Sequence, residues 1–156
     1  MTTRQPRPWM FVLAGGIVAA TLDIVYACVF WRLKSGVPAR RILQSVAAGL
    51  LGRASFEGGL ETAALGLALH YSIALSMAAA YTLAASRSPL LRNRPWSYGA
   101  VYGLLLYGVM NYVVVPLSAA GSGSSKDPLW IALTIAVHVL FIGIPIALFA
   151  RRALRA

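Results

Sequence analysis

The sequence predicts an all-α integral membrane protein, a four-helix bundle with an amphipathic interfacial or re-entrant helix between its first and second spans. Of the 156 residues, 59% are hydrophobic and 12% are charged, whereas a soluble domain is about 25% charged. Four apolar runs are each long enough to cross about 30 Å of hydrocarbon, which takes about 20 helical residues. All four tryptophans lie at ends of these runs, where indole rings favour the headgroup layer.

The four predicted spans form a single transmembrane domain over residues 1–156. They cover residues 9–31, 62–85, 96–116 and 129–150. The first run is too long for the apolar core of a signal peptide and contains Asp23, so we expect it to be retained. Most of the charge flanks the spans, and a net charge of +10 is typical of contact with a bilayer that includes anionic lipids. We therefore predict a lipid bilayer, and no nucleic acid, as the partner.

The loop after the first span has a regular pattern of its own. Pro38 suits the first turn of a helix, and residues 39–53 place apolar side chains on one face with polar and basic ones opposite. This spacing predicts a basic amphipathic helix that lies in the interface or folds back over the bundle. Beyond it, we interpret four residues as an entrance or gate with a glycine hinge. They are Glu57, Gly58, Gly59 and Glu61.

Small residues and a proline indicate how the spans pack. Gly99 and Gly103 form a GxxxG motif in the third span, and such pairs let helix backbones approach closely in lipid. A homodimer through these two glycines is one use of the motif. Pro145 in the fourth span cannot donate a backbone hydrogen bond and is expected to kink the helix.

Each span contains one strongly polar residue. At 1.5 Å per residue, Asp23 and His70 lie roughly 12 Å from the end of their spans that faces the first loop. His138 lies slightly deeper, and Asn111 lies roughly 8 Å from the same face. Polar groups in hydrocarbon usually face a bundle interior. The sequence therefore predicts an intramembrane polar cluster of Asp23, His70, Asn111 and His138.

Several roles are open to such a cluster. It can be a hydrogen-bonded girdle that fixes helix register in a structural or accessory subunit, or a site that handles protons, ions or a small polar solute. His70 and His138 are also candidates for the axial ligands of a haem b, because their spans run parallel. Together with Asp23 they resemble a two-histidine, one-carboxylate set, but no local ligand spacing supports a metal site, so we predict none. No nucleophile motif is present, so no enzymatic activity is predicted.

Five blocks of the sequence carry a resemblance to a known family. They are "GGIVAATLDIVYA", "RILQSVAAGLLGRASFEGG", "ALGLALHYSIA", "YGVMNYVVVPLSAAG" and "HVLFIGIPIA". The chain resembles a family of small bacterial inner-membrane proteins of about this length that carries no assigned activity. The resemblance implies four spans in a bacterial inner membrane, and it supplies no mechanism. Eight Lys and Arg lie on the side of the termini and six on the other, which favours cytoplasmic termini; inverted or dual topology stays open.

Overall fold

A computed structural model describes residues 7–121 and 125–155, and every regular element in these ranges is helical. The predicted domain also contains residues 1–6, 122–124 and 156, which lie outside the described part of the chain. A 3₁₀ turn at Gly52–Phe56 joins the second and third helices. The helices are α1 (Pro8–Ser35), α2 (Ala39–Leu51), α3 (Gly59–Arg87), α4 (Pro89–Asn93), α5 (Pro95–Leu117) and α6 (Pro128–Ala153).

The all-α prediction is confirmed, and α1, α3, α5 and α6 are long and apolar enough to cross a membrane. Each of these helices contains one predicted span and continues a few residues beyond it, because hydropathy detects the apolar stretch and not the helix end. Prolines in the first turns of α1, α5 and α6 need no hydrogen-bond acceptor there. Asp127 caps α6 by accepting from the Trp130 backbone N–H at 2.9 Å.

Glycines allow α5 and α6 to make backbone contact. A Cβ atom added at Gly103 would collide with the main chain of His138, and one added at Gly99 would collide with that of Ile144. On the facing helix, Gly143 packs in turn against the backbone of Gly99 and Gly103. The GxxxG motif, which the sequence suggests for a homodimer, is therefore buried against α6 within the chain and offers no free surface to a second copy at these two positions.

Helix α2 is packed against the first turns of α3. Gly66 of α3 lies so close to the Leu43 carbonyl of α2 that any larger residue would collide with it. The buried Gln44 side chain donates from Nε2 to the Gly59 carbonyl at 2.9 Å. At the other end of α2, the Ala119 N–H donates to the Gly49 carbonyl at 3.0 Å. Helix α2 thus connects the start of α3 to the segment that follows α5.

Replacing Gln44 should measurably destabilise this connection. Gln44→Ala removes the two hydrogen bonds of this buried side chain, to Gly59 and Thr62, so we expect a loss of about 1–3 kcal/mol in the free energy of unfolding. Thermal unfolding in detergent, followed by circular dichroism, measures it. Ser45→Ala is the matched control, because Ser45 is exposed and its hydroxyl bonds only within α2. Equal stability losses in the two variants would contradict this account of α2.

Candidate intramembrane polar site

Asp23 and His70 face each other across the contact between α1 and α3. Small buried residues, among them Gly16, Ala20 and Ala74, bring the two helices close together. The distance from Asp23 Oδ2 to His70 Nε2 is 3.9 Å, which is an ion-pair contact and too long for a hydrogen bond. The ring donates instead from Nε2 to the Ala20 carbonyl at 2.9 Å, which assigns the His70 proton to Nε2.

His138 joins this pair from α6. It is 8% exposed, and its Nδ1–H donates to the Thr134 carbonyl at 2.9 Å. The Asp23 carboxylate interacts electrostatically with both His138 and His70. Each imidazole therefore uses one ring nitrogen to fix its orientation, and imidazole is the side chain best suited to gain or lose a proton near neutral pH. We refer to Asp23, His70 and His138 as the Asp23 cluster.

Tyr26 and Thr134 lie beside the cluster, toward the first loop. Tyr26 is on the same face of α1 as Asp23, as its spacing of three residues predicts, and its hydroxyl lies 3.3 Å from Thr134 Oγ1. The Tyr26 ring stacks on Trp130 with a centroid distance of 5.5 Å and an angle of 11° between the planes. Sequence reasoning did not identify Thr134, although its position four residues before His138 places it on the same helical face.

Asn111 is linked to the Asp23 cluster through Tyr107. Its Nδ2 donates to the Tyr107 carbonyl one turn earlier in α5, at 2.9 Å. The Tyr107 ring in turn meets the His138 ring edge to face, with centroids 5.5 Å apart. The structure thus brings Asp23 and His70 to within 3.9 Å and places His138 within electrostatic range of Asp23. Tyr107, which sequence reasoning did not identify, connects Asn111 to His138.

A cavity of 310 Å³ opens beside Tyr107 and Asn111, between the end of α5 and the start of α6. We call it the Lys126 cavity. Its lining also includes Ser125, Lys126 and Trp130. Because α5 ends and α6 begins at the side of the first loop, the cavity leads from that side of the bundle to the tyrosine that contacts His138.

Both α5 and α6 contain a π-helical segment at the level of the site. The segments are Met110–Val114, which includes Asn111, and His138–Gly143, which begins at His138. Pro116 and Pro145 explain them, because neither can donate to the carbonyl four residues earlier, at Tyr112 and Phe141, and the ladder locally adopts the wider spacing. The kink expected at Pro145 therefore takes the form of a π segment, a feature that is frequent at functional sites.

The residues interpreted as a gate lie at the first-loop end of α3. Glu57 and Glu61 are exposed, and Gly59 adopts a left-handed φ of 61°, which a glycine allows without strain. The Thr62 hydroxyl donates to the Ser55 carbonyl at 2.6 Å, so the turn before α3 is tied to the first turn of the helix. The residues interpreted as a gate therefore lie at the surface near α2, apart from the Asp23 cluster.

The contacts of His70 and the packing of α1 against α3 limit how this site could hold a haem or a metal ion. His70 commits Nε2, the nitrogen through which histidine commonly binds haem iron, to the Ala20 carbonyl. The contact between α1 and α3 is made by small residues, and a Cβ at Gly16 would collide with Leu75. Within residues 7–121 and 125–155, no group of three or more His, Cys, Asp or Glu side chains has the arrangement of a metal site.

Comparison with known proteins finds no matching family model, no similar curated protein and no similar solved structure. The resemblance to small bacterial inner-membrane proteins therefore stays an expectation from the sequence.

Proposed function

We propose that this chain is a multi-pass membrane protein whose Asp23 cluster takes up and releases protons, alone or together with a small polar solute. The observation that carries the proposal is the 3.9 Å distance between Asp23 and His70, halfway along apolar helices, with His138 within electrostatic range of Asp23. Ionisable groups in such positions are costly and typically mark ion or proton pathways. Two imidazoles beside a carboxylate are groups that can take up and release protons.

The surroundings of the cluster support access from one side. Toward the first loop, the Lys126 cavity reaches Tyr107, and Tyr107 contacts His138. Toward the termini, α1, α3, α5 and α6 meet in a buried apolar core that contains Ala19, Tyr81, Leu106 and Ile146. A close-packed core of this kind leaves no space for water. We infer that protons reach the cluster from the side of the first loop, and that they pass on toward the termini only when the helices move and open this core.

The proposal includes the membrane arrangement of the chain. We infer a four-helix bundle in a bacterial inner membrane with cytoplasmic termini, in which α2 lies at the interface as an amphipathic helix. Its buried Gln44 and Ala47 face α3, whereas Arg40, Arg41 and Leu50 are exposed, which suits a helix at the boundary between headgroups and hydrocarbon. The Arg41 guanidinium lies 4.6 Å from the centre of the Phe56 ring. Reporter fusions to both termini test the orientation, and periplasmic termini would overturn it.

Proton uptake by proteoliposomes tests the proposed function. Purified protein is reconstituted in liposomes that contain a pH-sensitive dye, and a potassium diffusion potential drives proton entry. We expect faster acidification than in protein-free liposomes, and a slower rate in His138→Gln, which removes the imidazole that meets Tyr107. The assay is run without added solute and again with each of a panel of small polar solutes. The proposal would be contradicted if the wild type acidified the liposomes no faster than empty liposomes under all of these conditions.

A structural girdle is the second candidate, because the His70 ring donates from α3 to the Ala20 carbonyl of α1. Hydrogen bonds between membrane helices contribute about 0.6–2 kcal/mol each. If the cluster only holds the helices in register, substitution of its members lowers the thermal stability. Proton uptake is then at the background rate in the wild type and in every variant. A haem b fits less well, because His70 Nε2 already donates to the Ala20 carbonyl. A Soret band in protein purified after haem-replete expression would support haem binding.

A further inference from the structure

The Lys126 cavity has the charge and the polar groups of an anion site. Among its nine lining residues, one is a cation, Lys126, and none is a carboxylate. The Ser125 hydroxyl adds a hydrogen-bond donor, and Tyr107 and Tyr112 add two phenols. A lysine ammonium with neutral donors beside it is a typical combination for binding carboxylate or phosphate oxygens.

The nearest acid in the sequence does not cancel this charge. Asp127 forms an ion pair with Lys34 at the end of α1, and its other oxygen accepts from the Trp130 backbone N–H. Its carboxylate is therefore engaged by one cation and by the first turn of α6. Asp127 therefore does not neutralise Lys126, whose exposed side chain lines the cavity.

The remaining wall suits a small apolar body. Trp130 lines the cavity and is held in place by stacking on Tyr26 at 5.5 Å and by contact with Phe30 at 4.9 Å. Val115 and Ile131 supply further apolar surface. A volume of 310 Å³ lies at the lower end of the range for small-molecule pockets, which fits a short or flat molecule and not a whole phospholipid.

We propose that the Lys126 cavity binds a small organic anion, whose phosphate or carboxylate contacts Lys126 and Ser125 and whose apolar body lies against Trp130. The inference rests on the proposed function only in naming the class of solute that would approach the Asp23 cluster; binding itself requires no proton movement. The same anionic group can come from a free solute or from the headgroup of an anionic lipid, and the test separates the two sources.

Isothermal titration calorimetry with phenyl phosphate tests the site. The full chain is placed in nanodiscs of phosphatidylcholine, and we expect saturable binding that benzyl alcohol, a neutral analogue, does not show. Lys126→Gln should weaken binding about tenfold, the size expected for loss of a charge-assisted hydrogen bond, and Lys126→Arg should retain it. Arg155→Gln is the matched control, since it removes one charge at the opposite end of α6 and should leave the affinity unchanged.

Nanodiscs that contain phosphatidylglycerol identify the source of the anion. Weaker apparent binding of phenyl phosphate in these discs supports a lipid headgroup as the occupant, and unchanged binding supports a free solute. No saturable binding to the wild type, or equal affinities for wild type and Lys126→Gln, would overturn the inference. Asp23→Asn should bind phenyl phosphate normally, so failure of the anion site and failure of the proton site are distinguishable.

Discussion

Proteoliposomes that contain Asp23→Asn are expected to take up protons about a hundredfold more slowly than those with the wild type, a factor typical of a positioned proton-transfer group. The carboxamide keeps the size of the side chain and its ability to accept a hydrogen bond, but it cannot take up a proton. Because Asp23 interacts with both His70 and His138, its loss interrupts the exchange between the two imidazoles. The dye-based assay of proton entry measures the effect.

The control for this substitution is another acid-to-amide change. Glu57→Gln alters an exposed carboxylate in the turn before α3 and should retain the wild-type rate if the route passes through the Lys126 cavity. Thermal unfolding of Asp23→Asn, measured in parallel, should show that the protein is folded. Undiminished proton uptake in a folded Asp23→Asn protein would rule out the proposed role of this residue.

The largest expected effect on stability belongs to Gly103→Val. The added side chain would collide with the His138 carbonyl and the Val139 Cα atom, which are main-chain atoms and cannot move aside as a side-chain end can. Helices α5 and α6 would have to separate, and we expect a loss of about 3 kcal/mol or more in the free energy of unfolding, the upper end for overpacked cores. Thermal unfolding in detergent or nanodiscs measures it.

Gly108→Val supplies the matched comparison in the same helix. No heavy atom lies within 4 Å of a Cβ added at Gly108, so the valine has space there. Its unfolding temperature should stay near that of the wild type, since valine is a slightly better helix former than glycine. If the two valine variants unfold at the same temperature, the close contact between α5 and α6 is not as described.

The sequence predicted the helices and the depth of the polar residues because both depend on regular geometry. Hydropathy locates the apolar stretches, and a rise of 1.5 Å per residue converts position into depth. Asp23 and His70 lie 3.9 Å apart across the contact between α1 and α3. The depth of a residue does not say in which direction it faces around the bundle axis. Asn111 could therefore be predicted at a similar depth, but its position beside Tyr107 and the cavity could not be predicted.

Three features of the structure could not be predicted from the sequence, each for a physical reason. The π segments follow from Pro116 and Pro145, but a proline in a membrane helix also permits an ordinary kink. The GxxxG motif indicates a close helix contact without naming the partner helix, and here the partner is α6. The connection made by α2 depends on the close approach of Gly66 to Leu43, two residues that no local pattern relates.

Infrared difference spectroscopy of the Asp23 carboxyl group tests the central claim most directly, because it observes protonation at the site itself. Wild-type protein in a lipid film is cycled between acidic and alkaline buffer. We predict a carboxylic-acid C=O band that appears on acidification, is absent in Asp23→Asn and persists in Glu57→Gln. A spectrum in which Asp23→Asn removes no band would show that Asp23 does not exchange protons with the aqueous phase, and would leave the cluster with a structural role alone.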